Sequence, residues 1–171
     1  MDASHLIALR TALANTLSGV LQDGYQISEP CSLTSSTTGH GVTGIVSYTG
    51  SLVGTLSLSM SLETAWRFAY QIDGLSIPED INTLDETSKS IYEASIAETI
   101  AELVALIAHI PHADVHASCP TVVIGSGHRI AAMPETPTLQ IRCDTQLGEL
   151  TLNTTTRAIT GSITASSTIA A

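Results

Sequence analysis

Residues Tyr92 to Ile110 read YEASIAETIAELVALIAHI. Tyr92, Ile96, Ile100, Leu103 and Ile107 recur at spacings of three and four, which predicts a helix with one apolar stripe laid on a core. The opposite ridge carries Ala94, Glu98, Ala101, Ala105 and Ala108. Solvated helix faces usually carry long polar side chains. This one is mostly alanine, with Glu98 and Glu102 standing out. A low face of this kind lets a second surface approach closely, and a carboxylate on it can pair with a partner's cation. Taken alone, Glu98 reads as an ordinary solvated carboxylate, since exposure is the norm for glutamate.

The rest of the chain supplies what such a helix would cover. Asp2-Ala3-Ser4 caps a first helix running to about Gln22, with Leu6, Leu9, Leu13, Leu17 and Val20 inward. A Ser/Thr/Gly-rich connection follows from Ser32 to Gly41. VTGIVSYTG and LVGTLSLSMSL, joined near Gly50-Ser51, alternate as an antiparallel hairpin does. Ser61 caps a short helix, LETAWRFAYQIDG, that stops at Gly74. Trp66 reads as core of that helix or as a helix–sheet contact. Ser76 to Thr83 is a loop. After Pro111 the chain turns strand-rich: PTVVIG (Pro120 to Gly125), RIAAM (Arg129 to Met133), TLQIRCD (Thr138 to Asp144) and GELTLNTTT (Gly148 to Thr156). The tail beyond Arg157 adds one edge strand or frays. Helix, hairpin, helix, helix and meander predict one α+β domain over residues 1–171. Its mainly antiparallel sheet is covered by two long helices and one short one.

Composition excludes several classes. The chain has 171 residues, 43% of them hydrophobic and 13% charged, so a packed core is expected. Net charge is -10, and Arg10, Arg67, Lys89, Arg129, Arg142 and Arg157 are scattered. That gives no basic footprint for nucleic acid or for an anionic membrane surface. Three glutamates interrupt the most apolar helix, which argues against a membrane span. The N-terminus makes a poor signal peptide. Three widely spaced cysteines, Cys31, Cys119 and Cys143, fit reduced thiols and a cytoplasmic location better than a disulfide scaffold.

The central pieces resemble the CheX/CheC-like family of chemotaxis phosphatases. TGIVSYTGSLVGTLSLSMSLETAWRFAYQIDG is similar to that family's hairpin and helix, and CPTVVIGSGHRI to the strand and turn after its active helix. The resemblance, nearest to CheX, implies a CheC-like fold, a CheY-type response regulator as partner and a homodimer formed by joining sheets. It also implies an active helix whose glutamate pairs with the regulator's lysine. An asparagine three residues later would orient water for attack on the aspartyl phosphate. Residues at i and i+3 share one helix face, so one helix can deliver both groups. A neutral amide suits the task because it donates to a phosphoryl oxygen and accepts from water.

On this pattern Glu98 is the docking glutamate, Ala101 stands at the asparagine position, and Ala94 and Ala105 occupy the flanking positions. No cofactor is implied on this chain, and Mg2+ is expected on the regulator. Alanine cannot orient water, so the expectation is docking with little hydrolysis. Two alternatives stay open. One is a working phosphatase in which Glu102 or Asn15 orients the water. The other is a non-enzymatic structural or dimerisation module whose alanine ridge is a helix–helix contact. Asn15 enters because the first helix carries Ala8, Ala12, Asn15 and Gly19 at the family's spacing, without the glutamate. By itself it reads as a plain surface residue, because a two-residue match is a weak motif.

Two other clusters carry less. His109, His112, Asp114, His116 and Cys119 are metal-ligand types at short spacings, but Pro111 breaks the helix that would align the first two. Gly125-Ser126-Gly127 is half of a nucleophile elbow, with Ile124 and His128 where the elbow needs glycines, so it reads as a turn between strands.

Overall fold

A computed structural model describes residues 3–21, 24–32, 40–74, 84–109, 114–126 and 139–158. The elements are α1 (Ala3–Leu21), β1 (Tyr25–Ile27), β2 (Cys31–Ser32), β3 (His40–Gly50), β4 (Leu52–Ser61), α2 (Leu62–Asp73), α3 (Glu86–Ala108), β5 (Val115–Ala117), β6 (Thr121–Ser126), β7 (Leu139–Thr145), β8 (Gly148–Thr154) and β9 (Arg157–Ala158). The fold is α+β, as the patterning predicts.

The β3–β4 hairpin forms the centre of an antiparallel sheet, with Val42 opposite Met60 and Val46 opposite Leu56. Alternation along these strands sends Val42, Val46, Tyr48, Leu56, Leu58 and Met60 to one face, where all are buried. Leu150, Leu152, Ile141 and Cys143 continue that face through β8 and β7 by their cross-strand register. The other face carries short polar side chains, including a Gln140–Asn153 bond of 3.1 Å and a Thr43–Ser59 bond of 3.0 Å.

All three helices add to one core. Leu9, Leu13, Leu17 and Leu21 come from α1, and Phe68 and Ala69 from α2. Ile96, Ile100, Leu103, Val104 and Ile107 come from α3. The α3 stripe is buried as expected, except that Tyr92 is half-buried and packs against Trp66 with ring centroids 4.8 Å apart. That contact makes Trp66 a bridge between α2 and α3. The predicted caps hold for α2: Ser61 Oγ accepts from the Thr64 amide at 3.0 Å, and Gly74 ends the helix with φ 67°.

The structure corrects several expectations. The C-terminal strands do not form a simple meander. β5 and β6 both pair with β3, whereas β7 and β8 lie beyond β4 on the other side of the sheet. Helix α3 starts at Glu86, not Tyr92, because Asp85 accepts the Ser88 amide at 2.8 Å. Ala108 is buried, at 2% exposure, so the outward ridge ends before it. The three-residue strands β1 and β5 and the two-residue β2 were not read, being too short to show a period. The RIAAM segment lies outside the described residues. Within the predicted tail, Arg157 and Ala158 pair with Val53 and Leu52.

Candidate docking face on the third helix

Helix α3 is seated low on the sheet. A Cβ at Gly44 would lie 3.1 Å from both Ile100 Cγ2 and Val104 Cγ1, so the bare strand position admits the helix. Its far end is fastened by Tyr48, whose hydroxyl donates to the Ala108 carbonyl at 3.0 Å. Burial pushes that hydroxyl's pKa above its ordinary value. Its α2 side is fastened by Thr99, which is 1% exposed and lies 2.5 Å from an Asp73 carboxylate oxygen.

With Ile100, Leu103 and Ile107 held inward, Glu98 points to solvent and is exposed. At about 100° per residue, Ile91 and Ala105 lie roughly 20° from it around the axis, and Ala94 and Glu102 roughly 40°. All four are exposed. Ala101 lies about 60° away and is half-buried. The structure thus brings Glu98, Glu102, Ala94 and Ala105 onto one open face and sets Ala101 at its flank. Among the described residues the ion pairs are Arg10–Glu29 and Arg67–Glu63, so Glu98 has no cationic partner among those residues.

Two residues of this face escaped the sequence reading. Ile91 is 62% exposed and Leu106 is 60% exposed. Ile91 lies about 20° round the axis from Glu98, two turns toward the helix start, and its spacing of seven was the available signal, whereas Leu106 lies about 80° round, on the border of the face toward α2.

Asn15 is exposed on α1, with Ala8 exposed and Ala12 half-buried beside it. A Cβ at Gly19 would meet nothing within 4 Å, so packing does not require glycine there. No group of three metal-ligating side chains converges among the described residues, and His112 lies outside them. Gly125 and Ser126 belong to β6, paired with Gly41 and His40, while Gly127 lies outside the described residues. Cys31 and Cys119 are exposed and Cys143 is buried, all as free thiols. No helix among the described residues is long and apolar enough to cross a membrane.

No protein-family model matches the chain, and no curated protein sequence does. Solved structures do match. The chemotaxis protein CheX from Desulfovibrio desulfuricans superposes with a TM-score of 0.70 at 21% identity, covering 88% of this chain and 97% of that one. The CheX of a CheX–CheY complex with beryllium fluoride and magnesium, from Borrelia burgdorferi, gives 0.67 at 18% identity, covering 89% and 97%. A CheC-like superfamily protein from Shewanella sp. PV-4 gives 0.63 at 16%, covering 92% and 100%. The chain therefore has the fold shared by CheX and the CheC-like chemotaxis proteins, and the resemblance carried by its hairpin and helix motifs is supported.

Proposed function

We propose that this chain is a CheX-like chemotaxis domain that docks on a phosphorylated CheY-type response regulator through the α3 face. The observation that carries the proposal is Glu98. It is an exposed carboxylate without a cationic partner among the described residues, centred on a low face of a helix that is tied to β3 through Tyr48 and to α2 through Thr99. The complex of a protein of this fold with CheY supports the choice of partner. Glu98 pairs with a lysine of the regulator, and Ile91 and Leu106 cover apolar surface around it. Magnesium belongs to the regulator's phosphorylation site and not to this chain.

Hydrolysis is slow in this reading. Ala101 has no donor or acceptor, and Glu102 is rotated about 100° from it around the helix. A carboxylate at 102 also repels a phosphoryl group across a desolvated interface. The chain then sequesters or senses the phosphorylated regulator. As in the resemblance, it forms a homodimer through its sheet and works in the cytoplasm.

A pull-down with CheY-type regulators of the same organism, with and without beryllofluoride, tests the docking. Binding to the activated form that is lost on Glu98→Ala is the expected result. Equal binding by the Glu98→Ala protein, or none by the unmodified protein, overturns the proposal. Sedimentation that shows only monomer at high concentration overturns the dimer.

A further inference from the structure

Helices α2 and α3 pack against each other and both touch β3. Two contacts fix their register. The Trp66 ring lies against the Tyr92 ring at 4.8 Å, and seven residues further along both helices Asp73 meets Thr99. The two helices therefore run parallel. Burial requires the same course. Viewed along the chain and read clockwise, α3 shows its outward side at Glu98, its seam at Tyr92 and Thr99, then its core side at Ile100 and Ile107. Helix α2 shows the reverse order: core side at Ala65 and Ala69, seam at Trp66 and Asp73, outward side at Arg67. Neighbouring helices on one sheet show opposite orders only when they are parallel.

That register places Tyr70. It follows Trp66 by four residues, as Ile96 follows Tyr92, so it stands about 3 Å short of Glu98 along the axis. It is turned about 50° from the seam toward solvent and is 50% exposed. Helices in contact have axes about 8–10 Å apart. Tyr70 therefore stands beside the Glu98 face, across the seam. The α3 face is itself lopsided. Going round from Glu98 toward α2 come Ile91 at about 20°, Glu102 at about 40° and Leu106 at about 80°. Going the other way come Ala105 at about 20°, Ala94 at about 40° and Ala101 at about 60°. The large side chains stand on the side where Tyr70 is. The α3 face is also too small to seat a partner alone. From Ile91 to Ala105 it spans about 21 Å, and a helix is about 10 Å wide, so it offers roughly 200 Å² in projection. A stable interface takes about 800 Å² from each partner. A regulator seated on Glu98 must rest on a neighbouring element as well, and Tyr70 is the large apolar side chain that α2 exposes there.

We propose that Tyr70 anchors the regulator on α2: with Ile91 and Leu106 it forms an apolar border on one side of Glu98, which seats apolar side chains next to the regulator's lysine. The proposal rests on the docking reading above and extends its surface to a second helix. A tyrosine suits the place, because its rigid ring gives a large contact area at a low ordering cost and its hydroxyl stays wet at the rim. In the docking reading the phosphoryl group meets the Ala101 flank, which lies on the far side of Glu98 from α2. Tyr70 therefore covers regulator surface away from the phosphoryl group. It contributes equally to the phosphorylated and unmodified forms. It discriminates between regulators by the apolar surface each presents beside its lysine.

The test is the affinity of the full chain for a purified CheY-type regulator of the same organism, measured with Mg2+ alone and with Mg2+ and beryllofluoride. Each variant is melted first, so that affinities are compared at equal folded fraction. Tyr70→Ala is expected to weaken both forms by the same factor, about tenfold, the lower range for an aromatic anchor. Tyr70→Phe keeps the ring and should bind as the parent does. Gln71→Ala, an exposed change on the flank of α2 away from α3, should shift neither value. If Glu98→Ala abolishes binding and Tyr70→Ala changes nothing, the extension to α2 is overturned and the docking reading stands. If Tyr70→Ala weakens only the beryllofluoride form, Tyr70 reads the phosphoryl group and the apolar assignment fails. A loss in Tyr70→Phe as large as in Tyr70→Ala gives the contact to the hydroxyl and also overturns it. If the unmodified chain binds neither form, both readings fall together.

Discussion

Thr99 Oγ1 sits 2.5 Å from Asp73 Oδ2 and 3.0 Å from the Ser95 carbonyl, so its single hydroxyl hydrogen ties the end of α2 to the middle of α3. Thr99 is the neighbour of Glu98, and the tie sets the rotation of the docking helix about its own axis. Thr99→Val keeps the shape and removes the donor. Asp73 is exposed and can turn to water, so the loss should be modest, about 1 kcal/mol in urea unfolding. An unchanged midpoint would show that the tie contributes nothing.

Ala101→Asn should raise regulator dephosphorylation by about an order of magnitude or more, the lower range for a positioned catalytic group. Ala101 is half-buried at the flank of the Glu98 face, so the new amide must reach outward from beside it. A phosphate-release assay checks this. Strong activity in the unmodified protein that survives Glu98→Ala would sink the docking assignment. Strong activity lost on Asn15→Ala would move the chemistry to α1.

Gly44→Ala should destabilise the fold by about 1–3 kcal/mol, because the added methyl presses on Ile100 and Val104 at 3.1 Å. That corresponds to a fall in Tm of roughly 2–4 °C per kcal/mol in a domain of this size. Trimming the opposing side chain with Val104→Ala in the Gly44→Ala background should recover part of the loss. A melting temperature equal to the parent's for Gly44→Ala alone would refute the close seating of α3.

Burial, together with the neighbouring Asp144 carboxylate, pushes the Cys143 thiol from its ordinary 9.0 up to about 11. The folded state holds this proton more tightly than the unfolded chain does. The stability it contributes is fully present below pH 9 and is lost as pH rises toward 11. Urea midpoints measured from pH 8 to 11 should fall in that window, and less steeply in Cys143→Ala. Identical slopes in the two proteins would remove Cys143 from the explanation. In the same range Cys31 and Cys119, both exposed, should alkylate long before Cys143.

The long elements were legible because their periods are long. Leu9, Leu13 and Leu17 on α1, and Ile96, Ile100 and Ile107 on α3, repeat often enough to declare a buried face. Gly74 and Ser61 marked the ends of α2 because a left-handed stop and a hydroxyl cap are local devices. What failed was set by distant parts of the chain. Ala108 looked outward by spacing, yet it is buried, with its carbonyl held by the Tyr48 hydroxyl. β6 read as a step in a meander, but pairing with β3 is a choice among edges that spacing cannot show. Glu98 was legible as an odd carboxylate on an alanine face.

The bare Cα of Gly44 has a consequence for the kinetics of recognition. It beds the middle of α3 on the central strand pair, where Ile96, Ile100 and Val104 are buried. Amide hydrogens from Ile96 to Val104 should therefore exchange only in the rarest openings of the molecule. A carboxylate displayed on so stiff a base arrives already aligned, and its partner meets almost no ordering cost in the backbone. Association should then proceed as a rigid encounter. Differences between one regulator and another will be written in how long each stays, not in how fast each arrives.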